Sequence, residues 1–570
     1  MAEISLETFD MPGGGPGADE TRIGGTVWVS SLGNDATGER NNVSRHFLTI
    51  PAAVSAALAG DVIMIAPGAY SVPSNIAKDD VVYQTLGVVA ITYTGASYLF
   101  DTTGFTAGIT IDGNFVFINT PSSSGVLNIN DEHTRNLRFQ QIECYGGSAL
   151  IFANGTAARD CNIQGHIYSE AAPLAALSFY ASNLNVIYTG NITVASDIQG
   201  VTVGGAGGSN RVLIRGNIQK TVNGASALVL IGTAQGVTID GTVFVPDGYS
   251  DEALTVASGG GDIVVNGQIR GLVRDNTNTV NALQINNLLL NGAVYGNIYA
   301  EGYANTTING ELHGVIVVNS ANARVTQYGN FGPSSFPTFN VSDGVYIFYG
   351  DNNRTESQAG VCTGGEVCLL GRYITECGPT LGYNGMIGLD GGLLRLGAIM
   401  QNTSTDVGAS CVDFVSGKLI LQGVSMYVAS GYNPCILTET SVNPVKVYGA
   451  VENSESSTAR TQIDELTITS NASALYEVEV DGIPYSYTPS PGDSTAVIAA
   501  GLAAAILSAS VVQPVVAVGS SIALTAVVAG TGYTLLVTAG AISVNSVQLN
   551  NSGLTNVITG TTIITDSEVE

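Results

Sequence analysis

Val212-Leu-Ile-Arg-Gly-Asn-Ile-Gln219, Val237-Thr-Ile-Asp-Gly-Thr-Val-Phe244, Ile263-Val-Val-Asn-Gly-Gln-Ile-Arg270 and Leu288-Leu-Leu-Asn-Gly-Ala-Val-Tyr295 are four settings of one phrase, each built around a glycine. Upstream, Gly165 and Gly190 precede Gly216, Gly241, Gly267 and Gly292, so the marker recurs every 25 or 26 residues. Through Gly310, Gly329 and Gly350 the step shortens to 18 to 21 residues; from Gly371 it returns to 26, at Gly397, Gly423 and Gly449. Self-similarity at such a period is the signature of a solenoid.

The residues around the marker say which solenoid. Apolar side chains stand two positions after it (Ile167, Ile192, Ile218, Val243, Ile269, Val294, Leu312, Phe331, Tyr373, Ile399), two before it (Ile163, Ile214, Ile239, Val265, Leu290, Ile308) and four before it (Val186, Val212, Val237, Ile263, Leu288, Val367, Leu393, Leu419). Apolar residues at even offsets have the period of a strand, not of a helix. Each repeat therefore reads as two short strands hinged at a glycine, which permits the left-handed or bent backbone a corner needs. Asp240, Asn266, Asn291 and Asn309 immediately precede the marker and supply turn chemistry. With no convincing helix between repeats, each repeat is one coil of a parallel β-helix that buries its inward residues against the coils on either side.

The chain has 570 residues, 71 of them glycine, and a net charge of −27 with only 19 Lys and Arg. Nucleic acid and anionic membrane surfaces need a clustered positive face, so neither is an expected partner. Met1 to Asp10 has no basic start and no apolar run, so the expectation is a cytoplasmic product not exported by a signal peptide. No stretch is long and apolar enough for membrane insertion. Seven cysteines (Cys144, Cys161, Cys362, Cys368, Cys377, Cys411, Cys435) form no Cys-x-x-Cys pair, and the four histidines are scattered, so no metal and no cofactor are expected. Cys161 falls on the inward register and reads as small apolar filler.

Four segments are expected. Residues 1–24 form a flexible Gly- and Pro-rich arm containing Met11-Pro-Gly-Gly-Gly-Pro-Gly. Residues 25–70 hold the opening strand and a short helix, Pro51 to Gly60, that lids the exposed first coil. Residues 71–465 are the parallel β-helix, and residues 466–570 a small C-terminal α+β capping or assembly domain. In that last segment Tyr476-Glu-Val-Glu-Val-Asp-Gly-Ile-Pro-Tyr-Ser-Tyr reads as a hairpin turning at Asp481-Gly482, and Asp493 to Leu507 as a capped helix.

Trp28-Val-Ser-Ser-Leu-Gly-Asn-Asp-Ala-Thr-Gly, Phe47-Leu-Thr-Ile-Pro-Ala-Ala-Val and Gly60-Asp-Val-Ile-Met-Ile-Ala-Pro-Gly-Ala-Tyr70 resemble the opening of right-handed, pectate-lyase-like β-helix proteins. Bacteriophage tailspikes and tail fibres are the members that best suit an unsecreted acidic solenoid. The resemblance implies an all-β fold, a right-handed parallel β-helix solenoid, and a virion protein assembled in the host cytoplasm that adsorbs to a host-surface glycan as a homotrimer beside other virion proteins. No motif matches the calcium ligands or basic catalytic residue of the pectate lyases, so no site follows from it.

Odd offsets point outward and form columns along the solenoid. Three before the marker stand Ile187, Leu213, Val264, Leu289, Ile347, Leu394 and Ile420, an aliphatic stripe that three parallel copies would bury. A loop of the same coil folded over the stripe would satisfy it equally. Three after the marker stand Tyr168, Thr193, Gln219, Phe244, Arg270, Tyr295 and His313. This ladder of rings and planar polar groups offers a sugar chain stacking surfaces, with Arg270 and His313 as hydrogen-bond donors; aromatic residues are also simply favoured in strands. The binding expectation is Tyr168, Phe244, Arg270, Tyr295 and His313. A glycoside hydrolase or lyase on the same coils is the alternative, and a hydrolase needs two nearby carboxylates. Glu301 and Glu311, in adjacent coils near the ladder, are the pair to consider, among 46 acidic residues that bring such neighbours together by chance.

Overall fold

A computed structural model of the chain describes residues 24–152, 160–170, 175–180, 185–204, 211–224, 226–232, 236–246, 251–257, 261–277, 286–332, 338–353, 358–377, 385–404, 409–422, 424–428, 436–438, 445–448, 452–453, 462–509, 511–516, 519–528, 533–548 and 563–565. The Gly- and Pro-rich arm, Cys435, Gly423 and Gly449 lie outside the described residues. The fold is all-β, a parallel β-helix of about 12 turns, and the chain divides into two units, residues 1–226 and 227–570. Among the described residues no helix is long and apolar enough to cross a membrane.

In the first unit each coil contributes strands to three parallel stacks. One stack runs through Val62–Ile65, Val81–Thr85, Ile109–Asp112, the first half of Asn136–Cys144, the first half of Cys161–Ser169, Asn185–Thr189 and Arg211–Arg215. A second takes in Gly68–Val72, Val89–Tyr93, Phe115–Asn119, the second halves of the two long strands, Ile192–Val194 and Ile218–Lys220. The third joins Tyr98–Asp101, Gly125–Ile129, Ser148–Phe152, Leu177–Phe179 and Val201–Val203. Successive inward residues are in register, so Ile167, Ile192 and Ile218 lie over one another in the core. Cys161, in register with Val186 on the first stack, is buried as expected for filler.

Helix α1, Ile50–Ala56, packs against the opening strands Thr26–Val29, Val62–Ile65 and Gly68–Val72. Thr49 caps its start by accepting from the Ala52 amide, Pro51 occupies its first turn, and Ile50 and Ala53 face inward. Its last carbonyls are satisfied by one cation: Lys78 Nζ donates to Val54 at 2.8 Å and also to Ala57. Asp61, wholly buried, ties the opening segment down by accepting from Gly25, Leu58 and, twice at 2.6 Å, the Arg40 guanidinium.

The marker glycines earn their place mainly by close approach. A Cβ on Gly190 would fall 1.9 Å from the Gly165 carbonyl oxygen, and one on Gly216 2.0 Å from that of Gly190. In the second unit Gly267, Gly292, Gly310, Gly329 and Gly371 meet the preceding marker's carbonyl at 1.8 to 2.0 Å. Positive φ accompanies this contact at Gly190 and Gly216 but at none of those five glycines of the second unit. Across the second unit the sequence-based explanation by backbone conformation is therefore corrected to one by space.

The second unit repeats the three stacks. Val243, Ile269, Val294 and Leu312 are consecutive inward rungs, all fully buried. Within the shortened steps Ile316–Gln327 and Phe339–Phe348 each run unbroken from one face onto the next, as Gly385–Leu396 and Ser410–Gln422 do further on. At Gly397 the marker sits one residue early, because Leu369 pairs with Leu396 and Arg372 with Ile399. Leu394 is consequently inward with 0 % exposure while Ile399 turns out at 53 %. Both expectations, Leu394 in the outward stripe and Ile399 in the core, are corrected by that one-residue slip, and Leu393 moves outward with it.

The chain then leaves the coils to build antiparallel sheets. Val512–Val516, Ser521–Ala526, Ile463–Ile468 and Ile542–Gln548 form one sheet, and Ile483–Tyr487, Tyr476–Val480 and Leu535–Ala539 the other. Helix α2, Thr495–Ile506, capped by Ser494, packs Ile498, Leu502 and Ile506 onto a core that includes Tyr476, Leu466 and Ile522. The chain's final described strand, Ile563–Thr565, returns to pair in parallel with Val445–Val447. The α+β segment thus lies, in sequence, between two paired rungs, and Ile563–Thr565 satisfies the edge of the Val445–Tyr448 strand that Ser410–Gln422 leaves open.

Candidate functional site

The outward ladder divides between the two units. In the second, Phe244, Arg270 and Tyr295 occupy one register position on successive strands, and His313 follows on the next coil. Strands of adjacent coils are about 4.8 Å apart, close to the thickness at which flat groups touch, so these side chains stack on one another. The Arg270 guanidinium lies 5.4 Å from the centre of the Phe244 ring. Tyr295 and His313 are parallel to within 14°, with ring centres 4.2 Å apart. Gly332 closes the stack, for a Cβ there would sit 2.2 Å from the His313 ring.

This packing changes what the ladder offers. Ring faces that a sugar would cover are taken by neighbouring rungs, so the ladder presents edges. The expectation of His313 as a donor is corrected for its Nε2, which is buried 3.2 Å from Glu311 Oε2, off the line of a hydrogen bond. Arg270 is different. It is exposed, and among the described residues no carboxylate pairs with it. The cation–π contact steadies its guanidinium, which makes no hydrogen bond among the described residues. The Tyr295 hydroxyl likewise makes no hydrogen bond among the described residues.

In the first unit the same column runs Glu143, Tyr168, Thr193, Gln219. Gln219 Nε2 donates to Thr193 Oγ1 at 3.0 Å. Tyr168 meets Tyr145 edge to face at 6.4 Å, and the two phenols reach Glu170 and Glu143 at 3.3 and 3.4 Å. Burial first, then the neighbouring Glu170 charge, pushes the Tyr168 phenol above its usual pKa; burial and Glu143 do the same to Tyr145. Sequence reasoning found Tyr168 but missed the group around it, whose alternation Glu143-x-Tyr145 and Tyr168-x-Glu170 on one outward face was the available signal.

Glu301 and Glu311 belong to different surroundings. Glu301 lies on Ile298–Gly302, where it shares Arg274 with Glu252: Arg274 Nε donates to Glu252 at 3.0 Å and Nη1 to Glu301 at 3.3 Å, over the Tyr299 ring. Glu311 neighbours His313. Glu301 thus faces the Arg274 guanidinium and Glu311 the His313 imidazole, two different sets of neighbours.

The aliphatic column is partly what the spacing predicts. Ile187 and Leu213 are adjacent rungs in the first unit, and Val264 and Leu289 in the second. All four are partly or fully exposed, as are Ile347 and Ile420. Threonines 307 and 326 then interrupt the second unit's column before Ile347, and Cys368 and Arg395 follow it. Unforeseen from sequence is the column beside it. Asn266 donates to Asp240, Asn291 to Asn266 and Asn309 to Asn291, at 2.6 to 2.8 Å, so the turn residues form one hydrogen-bonded amide ladder.

No protein-family model matches the chain, and no curated protein matches it.

Proposed function

We propose that this chain is the spike or fibre of a virus particle, of the bacteriophage tailspike type, acting as a parallel homotrimer that adsorbs to a host-surface glycan. The right-handed sense of its coils and its place in the virion belong to this reading. The observation that carries it is Arg270, an exposed cation with no acidic partner among the described residues, fixed over Phe244 in a chain of net charge −27. A surface so acidic repels anionic polymers in general. A glycan that is neutral along most of its length and carries an anionic substituent at Arg270 meets the planar fork in the two-point geometry that suits carboxylate or phosphate. Tyr295 contributes the edge of its ring and its hydroxyl. Rungs about 4.8 Å apart let one extended oligosaccharide touch several of them. Alanine at Phe244 and at Tyr295 tests the reading by adsorption to host cells: unchanged adsorption in both would put the recognition surface elsewhere.

A polysaccharide-degrading enzyme on the same coils is the second reading, favoured by the Glu143, Tyr145, Tyr168 and Glu170 group. That group sets two carboxylates within reach of two phenols on one outward face, and paired carboxylates are what a glycosidase needs. Incubation with host envelope polysaccharide separates the readings. New chain ends that vanish in Glu143→Gln and Glu170→Gln support the enzyme; intact polymer leaves adsorption alone.

A further inference from the structure

From Ser494 to Thr565 the sequence contains no Asp, Glu, Lys, Arg or His, in a chain that otherwise carries 46 acidic residues. Helix α2 lies in this stretch. Its inner side, Ile498, Ala499, Leu502, Ala503 and Ile506, is buried. Its outer side is Ala496, Val497, Ala500, Ala504 and Leu507, all exposed, Val497 at 47 % and Leu507 at 69 %. A surface helix normally turns a polar face to water, and a helix apolar all round is normally enclosed. This one is apolar all round and open on one side.

We propose that the outer face of α2 is a contact between copies of this chain, with α2 of one copy packed on α2 of another. The spacing supports self-packing: Val497, Ala500, Ala504 and Leu507 follow the three-four-three step of a coiled-coil seam, and the two alanines let backbones approach closely. Charge selects the occupant. Two copies at −27 each repel wherever their acidic surfaces meet, whereas the α2 faces meet without opposing like charges. A charged partner would find nothing on this face to pair with. The contact goes beyond the glycan reading and does not depend on what the ladder binds.

Full-length protein tests it by cross-linking. Ala500→Cys under mild oxidation is expected to give a disulfide-linked pair of chains on a non-reducing gel. The unsubstituted chain and Ser486→Cys, exposed on the neighbouring sheet, should not. Ala504→Lys should keep the circular dichroism spectrum and raise the dissociation constant of the assembly about tenfold or more in sedimentation velocity, a shift of about 1.4 kcal/mol. If Ala500→Cys chains fail to cross-link under conditions where the protein sediments as an oligomer, the α2 contact is wrong while the homotrimer stands. Sedimentation as a monomer overturns both. Monomers that float with neutral phosphatidylcholine vesicles through this helix would make the face a lipid surface and overturn the proposal too.

Discussion

The imidazole of His313 lies flat against the phenol of Tyr295, their ring centres 4.2 Å apart. Rungs of a parallel β-helix are spaced so that outward rings consume each other's faces, which leaves edges and polar tips for a ligand. Recognition by edges and recognition by stacking make different predictions for Tyr295→Phe. Stacking is indifferent to the lost hydroxyl. Edge recognition, if the proposed glycan contact is made, loses about 0.5–1.5 kcal/mol of affinity for one hydrogen bond, measurable by calorimetry against a glycan shown to bind the unsubstituted chain.

Close approach at the marker glycines predicts an asymmetry between Gly292 and Gly482. A Cβ at Gly292 meets the Gly267 carbonyl at 2.0 Å, whereas Gly482, at φ +74, has nothing within 4 Å of a Cβ. Gly292→Ala should cost about 1–3 kcal/mol or more through overpacking against rigid backbone. Gly482→Ala should cost about 1–2 kcal/mol from its left-handed backbone alone. Denaturant unfolding of the two variants, each followed by far-ultraviolet circular dichroism, gives the comparison.

The glycine beat was legible because a coil repeats its geometry, so the same contact constrains the same position each time. Ile218, Val243 and Ile269 could be placed inside from their even offsets alone, and each is fully buried. Leu394 and Ile399 could not, because the offset was counted from Gly397 and the coil there pairs one residue out of step. Ring orientation at Tyr295 and His313 was hidden for another reason: sequence spacing says that two side chains are neighbours, not which surface each turns to the other. The return of Ile563–Thr565 to Val445–Val447 pairs segments with a whole inserted α+β segment between them, and nothing local in Thr562-Ile-Ile-Thr565 marks its partner.

Acid should release the opening segment before the coils. Burial acts to raise the pKa of Asp61, but Arg40 and the Leu58 and Gly25 amides outweigh it and hold the carboxyl below its usual value. A carboxyl depressed on folding contributes stability that is complete above its unfolded pKa, about 3.9, and is lost as pH falls through the folded value. Hydrogen exchange across Gly25–Ala57 should therefore be slow and flat from pH 7 to about pH 4, once intrinsic rates are removed, and accelerate below it. Asp61→Asn should exchange quickly throughout that range and lose the pH step.

Leu394 and Val264 separate folding from assembly. Val264→Glu adds a charge to the outward column and should lower the solution mass of the proposed homotrimer without changing secondary structure. Leu394→Ala empties a buried site instead, which predicts a loss of about 2–5 kcal/mol in stability with assembly retained in the folded fraction. Light scattering and thermal unfolding on both variants check the pair.

Arg270 carries the central claim, and a glycan array probed with the full-length chain and with Arg270→Gln tests it most directly. The account predicts that the unsubstituted protein binds a glycan bearing a carboxylate or phosphate substituent, that Arg270→Gln loses at least about tenfold in affinity for it, and that added salt weakens the former more than the latter. An Arg270→Gln chain that binds the same glycan with the same affinity and the same salt dependence would contradict it.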